Sequence, residues 1–569
     1  MEYLVLLGIV VFLVIVIFGF GMLQEKRELK RYMERLANKY GKVQEYEYEY
    51  PSGRFEKIPM FYEHNKPEHF VDDITWNDLN MDEIFKSMNF TESSVGEEYL
   101  YYMLRNMDCD LDRLGKQEKL ITYFMENEDA RLFLQMLFHN VGKSSKFSIF
   151  DYLDYIDQVK LRSNIKQFLM IGFLVAAIVL CFFHSGIGVV AVFSILIANI
   201  LSYFKEKNEI EPYLYSLAYI QRLLDVSKKM CTVKLDILEE SQKELKETLK
   251  EFKDFSANSM WIHMGGGNSM GGNPLDIILD YLRMITHIDL IIFNHLLKKL
   301  KNKKKEVATL VKVLGEIEAC IAIGWYRNTL PYYVTPDFTG SNLEIKDACH
   351  PLIEDAVPNS IKADGGVLIT GSNASGKSTF LKTIAINAIL AQGIHTVYAK
   401  EYKAEVLDVF SSMALRDNVV QGDSYFMVEI KSIKRILEKV KVSERKMICF
   451  VDEVLRGTNT VERIAASTHI LMCLQKAQTI CFAATHDIEL ARLLKDSYDN
   501  YHFEEVIEGE DVRFSYLLCE GKATSRNAIK LLKVLGYDNS LVKDAENMAA
   551  NFLETGKWSA YGKDVVSEG

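Results

Sequence analysis

The chain has 569 residues, of which 49% are hydrophobic and 25% charged, with only nine prolines. That composition excludes a collagenous, mucin-like or wholly disordered chain and leaves room for three to four domains at ~150 residues each. A net charge of −11 announces no nucleic-acid binder globally, although only a local patch decides that. The nine cysteines are odd in number and include no Cys-x-x-Cys pair, which argues against a disulfide scaffold or a zinc ribbon.

Residues 3–22 form a run of twenty without a charge, enough to span a ~30 Å hydrocarbon core at 1.5 Å per residue. No basic stretch precedes the run and no small-x-small cleavage site follows it, so it reads as a retained anchor. Lys26, Arg27, Lys30 and Arg31 follow and place that flank in the cytoplasm, with the N-terminus outside. A second apolar block, 168–204, is broken once at His184-Ser185-Gly186-Ile187-Gly188. Lys160, Arg162 and Lys166 before it, and Lys205 and Lys207 after it, set both ends on the cytoplasmic side, as for a transmembrane hairpin. The expectation is a multi-pass cell-membrane protein with three spans in the lipid bilayer and its bulk in the cytoplasm.

Between these segments, Tyr46, Tyr48 and Tyr50 alternate with Glu45, Glu47 and Glu49 at a strand-like period of two. Apolar spacings predict helices over 91–141, 209–255 and 274–323. The glycines at 264–273 follow no predicted strand and precede no lysine, so they read as a loop between helices. Lys298, Lys299, Lys301, Lys303, Lys304 and Lys305 form the densest basic cluster. A solvated helix end, DNA phosphates and anionic lipid are its three readings.

From about residue 343 strands and helices alternate, as in an α/β nucleotide-binding domain. The apolar Gly366-Val367-Leu368-Ile369-Thr370 runs into Gly371-Ser372-Asn373-Ala374-Ser375-Gly376-Lys377-Ser378-Thr379 and then an apolar helix. This is G-x-x-x-x-G-K-S between strand and helix: glycines let backbone N–H groups face ATP phosphates at a helix N-terminus. Lys377 would meet the β- and γ-phosphates, and Ser378 would ligate Mg²⁺. Met447 to Val451 forms a second apolar strand, ending in Asp452-Glu453. There Asp452 can hold Mg²⁺, and Glu453 can orient or deprotonate the attacking water. A third strand, 479–484, ends at Thr485-His486-Asp487, where His486 is placed to sense the γ-phosphate.

Together these residues resemble the MutS mismatch-repair ATPases. The resemblance rests on Asn373, on Asp417-Asn418-Val419-Val420-Gln421-Gly422-Asp423-Ser424-Tyr425-Phe426-Met427-Val428-Glu429, on Asp452 through Thr460, and on Ala484-Thr485-His486. His350-Pro351 and Ala523-Thr524-Ser525-Arg526-Asn527-Ala528-Ile529 add to it, and the match covers roughly 340–560. It implies an α/β P-loop, ABC-type ATPase domain at the C-terminus, preceded by an all-α lever and core region that carries the transmembrane helices. It also implies a homodimer with composite sites, in which Ser424 reaches the partner's ATP, and ATP-dependent DNA binding. Ser372, Ala374 and Ser375 replace the Pro, Met and Gly usual in the mismatch-repair branch, and Tyr425 replaces its Thr. Phe61-Tyr62-Glu63 and Phe90-Thr91-Glu92 have the Phe-x-Glu form of the family's base wedge, outside any recognisable copy of its mismatch-reading domain.

The expected organisation is an anchor at 1–24, a linker or small mixed region at 25–90, a helical core at 91–164 and a transmembrane hairpin at 165–206. Helical levers at 207–338, the ATPase domain at 339–560 and a tail at 561–569 complete it. The expected function is a membrane-anchored ATPase coupled to DNA binding in a mismatch-repair-related role, with mismatch specificity not implied. Its rival is a membrane-bound mechanical ATPase or tether that does not bind DNA.

Overall fold

The computed structural model describes residues 2–43, 50–144, 147–155, 163–253, 281–301, 303–372, 375–413, 425–475, 478–508, 511–522, 529, 532 and 536–558. The tyrosine–glutamate alternation (Tyr50 apart), the 264–273 glycines, 417–424 and Ala523 to Ala528 lie outside them. The chain divides into two compact units. The first comprises Met1–Lys66, Phe85–Met103 and Asp110–Thr329; the second comprises Pro67–Ile84, Leu104–Cys109 and Leu330–Gly569.

The first unit is helical. Helix Lys304–Thr329 is buried on nearly every turn beyond Val307, and it crosses helix Ser94–Arg105 closely. A Cβ on Gly315 would lie 2.7 Å from the Cβ of Tyr99, so only glycine allows that approach. The two wedge-like phenylalanines are core residues of this unit. Phe61 packs edge-on to Tyr99, Tyr102 and Phe150, and Phe90 stacks on Trp325 at 4.8 Å.

At the same crossing the buried Glu318 carboxylate accepts hydrogen bonds from the Glu92 and Ser93 N–H groups and from the Ser93 hydroxyl. It thus caps the start of helix Ser94–Arg105. Burial nevertheless pushes the Glu318 carboxyl from 4.5 up to about 8, and burial takes Glu98 to about 7. The folded unit therefore holds protons that the unfolded chain has released. Its stability falls as pH rises from about 5 to about 8. Glu318→Gln should flatten this slope by ~1.4 kcal/mol per pH unit for the one proton removed. Urea unfolding of both proteins across that range checks it, and an unchanged slope would acquit Glu318.

Among the described residues two helices are long and apolar enough to cross a membrane, Ile165–Phe183 and the Ser185–Ile210 part of helix Ser185–Thr232. Only 11% and 17% of their most apolar windows are buried. His184 alone breaks the helix between them. Both candidates belong to the expected hairpin. Helix Glu2–Lys39 runs through the first apolar stretch, but most side chains there lie outside the described set. At the base of the hairpin Tyr203 donates to Asp289 at 2.8 Å, and Asn199 donates to the Ile285 carbonyl at 3.0 Å. The lysine cluster spans the end of helix Ile288–Leu300 and the start of Lys304–Thr329, with Lys303 paired to Glu251 at 3.2 Å.

The second unit is built on a six-stranded sheet. Its strands are β3 (Gly366–Thr370), β5 (Asp408–Ser412), β6 (Met447–Asp452), β7 (Thr479–Thr485), β8 (Tyr498–Glu508) and β9 (Asp511–Glu520). Their order is β5-β6-β7-β3-β8-β9, parallel except for β9. Every residue of β3 and β7 is buried, as expected of parallel strands covered on both faces. A three-stranded sheet, β1 (Leu343–Ala348), β2 (Asn359–Ala363) and β4 (Glu401–Lys403), has the order β2-β1-β4.

Pro67–Ile84 and Leu104–Cys109 come from far upstream, yet they cover the exposed edge at β5. Asp78 accepts from the Ser411 hydroxyl at 2.7 Å and from the Met413 N–H at 2.9 Å. Arg445 donates to the Met107 and Asp108 carbonyls, each at 2.7 Å. An edge strand left open would template pairing with other chains, and these segments close it.

Candidate functional site

In an open parallel sheet the chemistry gathers beyond the carboxyl ends of the strands. There β3 ends at Thr370, and helix Lys377–Ile394 starts after the intervening loop, the strand–loop–helix order that the sequence predicts. Thr370 of β3 pairs with Thr485 of β7, and Asp452 of β6 pairs with Ala484 of β7. This register brings Gly371, Asp452, Glu453 and His486 to one end of the sheet, although 115 positions separate the first from the last.

Gly376 is the N-cap of the helix and sits at φ +104, a conformation that favours glycine. Lys377 is buried, and its Nζ donates to the Gly371 carbonyl at 2.7 Å and to the Ser372 carbonyl at 2.6 Å, folding the ammonium into the loop. The Ser378 hydroxyl donates to Asp452 Oδ2. The other carboxylate oxygen of Asp452 is buried and has no hydrogen-bond partner. Ser375 is buried too, whereas Thr379 is exposed at the helix start. Asn373, Ala374 and Ser424 lie outside the described residues.

Glu453 takes a left-handed conformation, φ +54, its N–H donating to the Ala484 carbonyl at 2.9 Å. His486 Nδ1 lies 3.4 Å from Glu453 Oε1, and Arg456 lies 2.9 Å from Glu453 Oε2. Hydrogen bonding to His486 holds the Glu453 carboxyl below its ordinary range and raises the imidazole in turn. Burial pushes Asp452 the other way, upward, against its hydrogen bond from Ser378. Two adjacent carboxyls thus carry opposite shifts, one kept ionised by partners and one penalised for its charge.

Three supporting residues escaped the sequence reading as functional groups. Glu429, on helix Tyr425–Val442, accepts from the Leu455 N–H and so fixes the turn after Glu453. Arg463 grips Asp487 with two bonds, at 2.9 and 2.7 Å, and anchors the backbone beside His486. No local pattern in the sequence pairs Arg463 with Asp487, which lies 24 positions away.

Residues 367–553 match the family model of MutS domain V. The chain thus carries a C-terminal region similar to MutS domain V. Among MutS relatives, the DNA mismatch repair protein MutS of Thermotoga petrophila is 29% identical over 295 residues, covering 48% of this chain and 36% of that protein. The MutS of Persephonella marina is 32% identical over 234 residues, covering 39% and 27%. The DNA mismatch repair protein MSH3 of Phaeosphaeria nodorum is 30% identical over 281 residues, covering 46% and 25%. The chain therefore spans about a third or less of the length of the relatives it matches.

Proposed function

We propose that this protein is a MutS-type ATPase, anchored at a membrane, that couples ATP turnover to DNA binding in a mismatch-repair-related role. The observation that carries the reading is the convergence of Lys377, Ser378, Asp452, Glu453 and His486 at one end of a parallel sheet within the MutS domain V segment.

Gly371 through Thr379 would cradle the nucleotide, with Lys377 against the β- and γ-phosphates. Ser378 and Asp452 fit Mg²⁺: they offer two hard oxygens, and the unpartnered Asp452 Oδ1 is a third lone-pair site. When bound, the cation would neutralise phosphate charge. Glu453, kept ionised by His486 and Arg456, would accept the proton of a water attacking the γ-phosphorus as the bond to the β–γ bridging oxygen breaks. His486 would hold Glu453 in place and respond to the γ-phosphate. Ser424 would reach the ATP of a second copy, making the working form a homodimer.

Replacing Lys377 with Ala removes the one ammonium in the loop. ATP affinity is expected to fall at least tenfold, measured by equilibrium binding of a fluorescent ATP analogue; full affinity would overturn the assignment.

The exposed apolar surface of the two candidate membrane helices supports the membrane location and also favours a second reading, in which the same ATPase moves membrane helices without DNA. DNA binding separates the two.

A further inference from the structure

The β8–β9 hairpin carries a cluster of three metal-ligating side chains distinct from the Ser378–Asp452 pair. His502 and Glu504 are two apart on β8, and Cys519 on β9 is the cross-strand partner of His502. The register of the hairpin shifts between Phe503 and Glu505, yet the Glu504 carboxylate still reaches His502 at 2.9 Å. The ligand atoms of all three lie within 4.8 Å of one another. Ligands of one tetrahedral zinc ion, bound at ~2.0 to 2.3 Å, stand ~3 to 4 Å apart, so small rotations suffice to close the set.

The hydrogen bonds around His502 support a cation. His502 is buried, and its Nδ1 lies 3.0 Å from the Gly521 carbonyl, the arrangement in which Nδ1–H donates to the main chain. That bond fixes the tautomer and turns the Nε2 lone pair outward, as in metal-bound histidines. Nε2 faces Glu504 Oε1 at 2.9 Å. A neutral imidazole lone pair and a carboxylate are both acceptors, so a positive centre belongs between them. A proton on Nε2 would serve the pair alone; the sulfur of Cys519 beside them extends the set to one that a borderline-soft divalent cation satisfies.

We infer that His502 Nε2, Glu504 and Cys519 form a zinc-type cation site on the β8–β9 hairpin, with the fourth tetrahedral position left to water. Its place in the sheet gives it a consequence for the neighbouring loop. His502 pairs with Thr370, the residue before Gly371, and the Tyr516 ring of β9 lies against Gly376. A cation that ties β8 to β9 would brace the flank of the Gly371–Ser378 loop.

Cobalt(II) is the probe, because a thiolate ligand gives it an intense near-ultraviolet charge-transfer absorption that oxygen ligands do not. Titrating the full-length protein in detergent with cobalt should yield this band at one equivalent. Equimolar zinc should abolish it, while millimolar magnesium should leave it intact. Cys519→Ser should remove the band, and Glu504→Gln, at an exposed side chain, should weaken cobalt binding at least tenfold with the far-ultraviolet circular dichroism unchanged. Cobalt bound without the band, a band that survives Cys519→Ser, or no binding at micromolar cobalt would each overturn the site. Cobalt held only at Ser378 and Asp452 would appear as the first of these.

Discussion

Replacing Glu453 with Gln is expected to slow ATP turnover by ~10²- to 10⁴-fold while ATP binding persists. Gln has almost the same shape, so the left-handed turn at φ +54 and its N–H bond to the Ala484 carbonyl are retained. What is lost is an anionic oxygen able to take a proton from water. The pairing with His486 and Arg456 keeps that oxygen ionised at neutral pH, so the native group is ready to act without titrating first. A phosphate-release assay beside an ATP-binding assay checks both halves. Turnover within twofold of the native rate would remove Glu453 from the mechanism.

The largest expected loss of stability lies in the helical unit, at Arg54. Its guanidinium is almost fully buried and donates to Glu97 from Nε and Nη2, at 2.9 and 2.7 Å, and to Glu98 from Nη1 at 3.1 Å. Lys143, 3.4 Å from Glu97, and the Asn89 amide donor, 2.9 Å away, complete the surroundings of that carboxylate. The Ser148 hydroxyl donates to Glu98 at 2.8 Å. Removing one partner of a buried pair leaves the other charge stranded, a cost of ~3 to 5 kcal/mol. Here Arg54→Ala would strand two carboxyls, and Glu98, already raised by burial, would take up a proton first. Urea denaturation followed by circular dichroism should show the helical transition shifted by that amount. A shift below ~1 kcal/mol would mean that Lys143 and the neutral donors suffice. Arg54→Met combined with Glu97→Gln should recover part of the loss, since it removes charge from both sides.

Much of the ATPase-like half is legible from local pattern because its information is local. The buried strand Gly366–Thr370, the glycines after it and the helix from Lys377 are contiguous, and each apolar strand that ends in chemistry announces itself. The edge of the sheet is different. Asp78, Met107 and Asp108 reach β5 and its neighbours from more than 300 positions upstream, and nothing in the stretches that read as linker and as helical core marks them as part of that unit. The same holds for the hairpin cluster. His502 and Cys519 are neighbours only through antiparallel register, so a search for Cys-x-x-Cys spacing passes over them. Glu318, within a long apolar helix, gives no sign in sequence that it caps another helix over 200 residues away.

The most direct test of the proposed function is DNA binding by the full-length protein in detergent, to perfect and single-mismatch duplexes, with and without ATP, across a salt series. The proposed function requires binding to duplex DNA that falls steeply with salt, as phosphate contacts require, and that ATP shifts at least fivefold. DNA should then shift ATP affinity by the same factor, because the coupling is reciprocal. Absence of binding at low salt in every nucleotide state, with ATP hydrolysis intact, would contradict it.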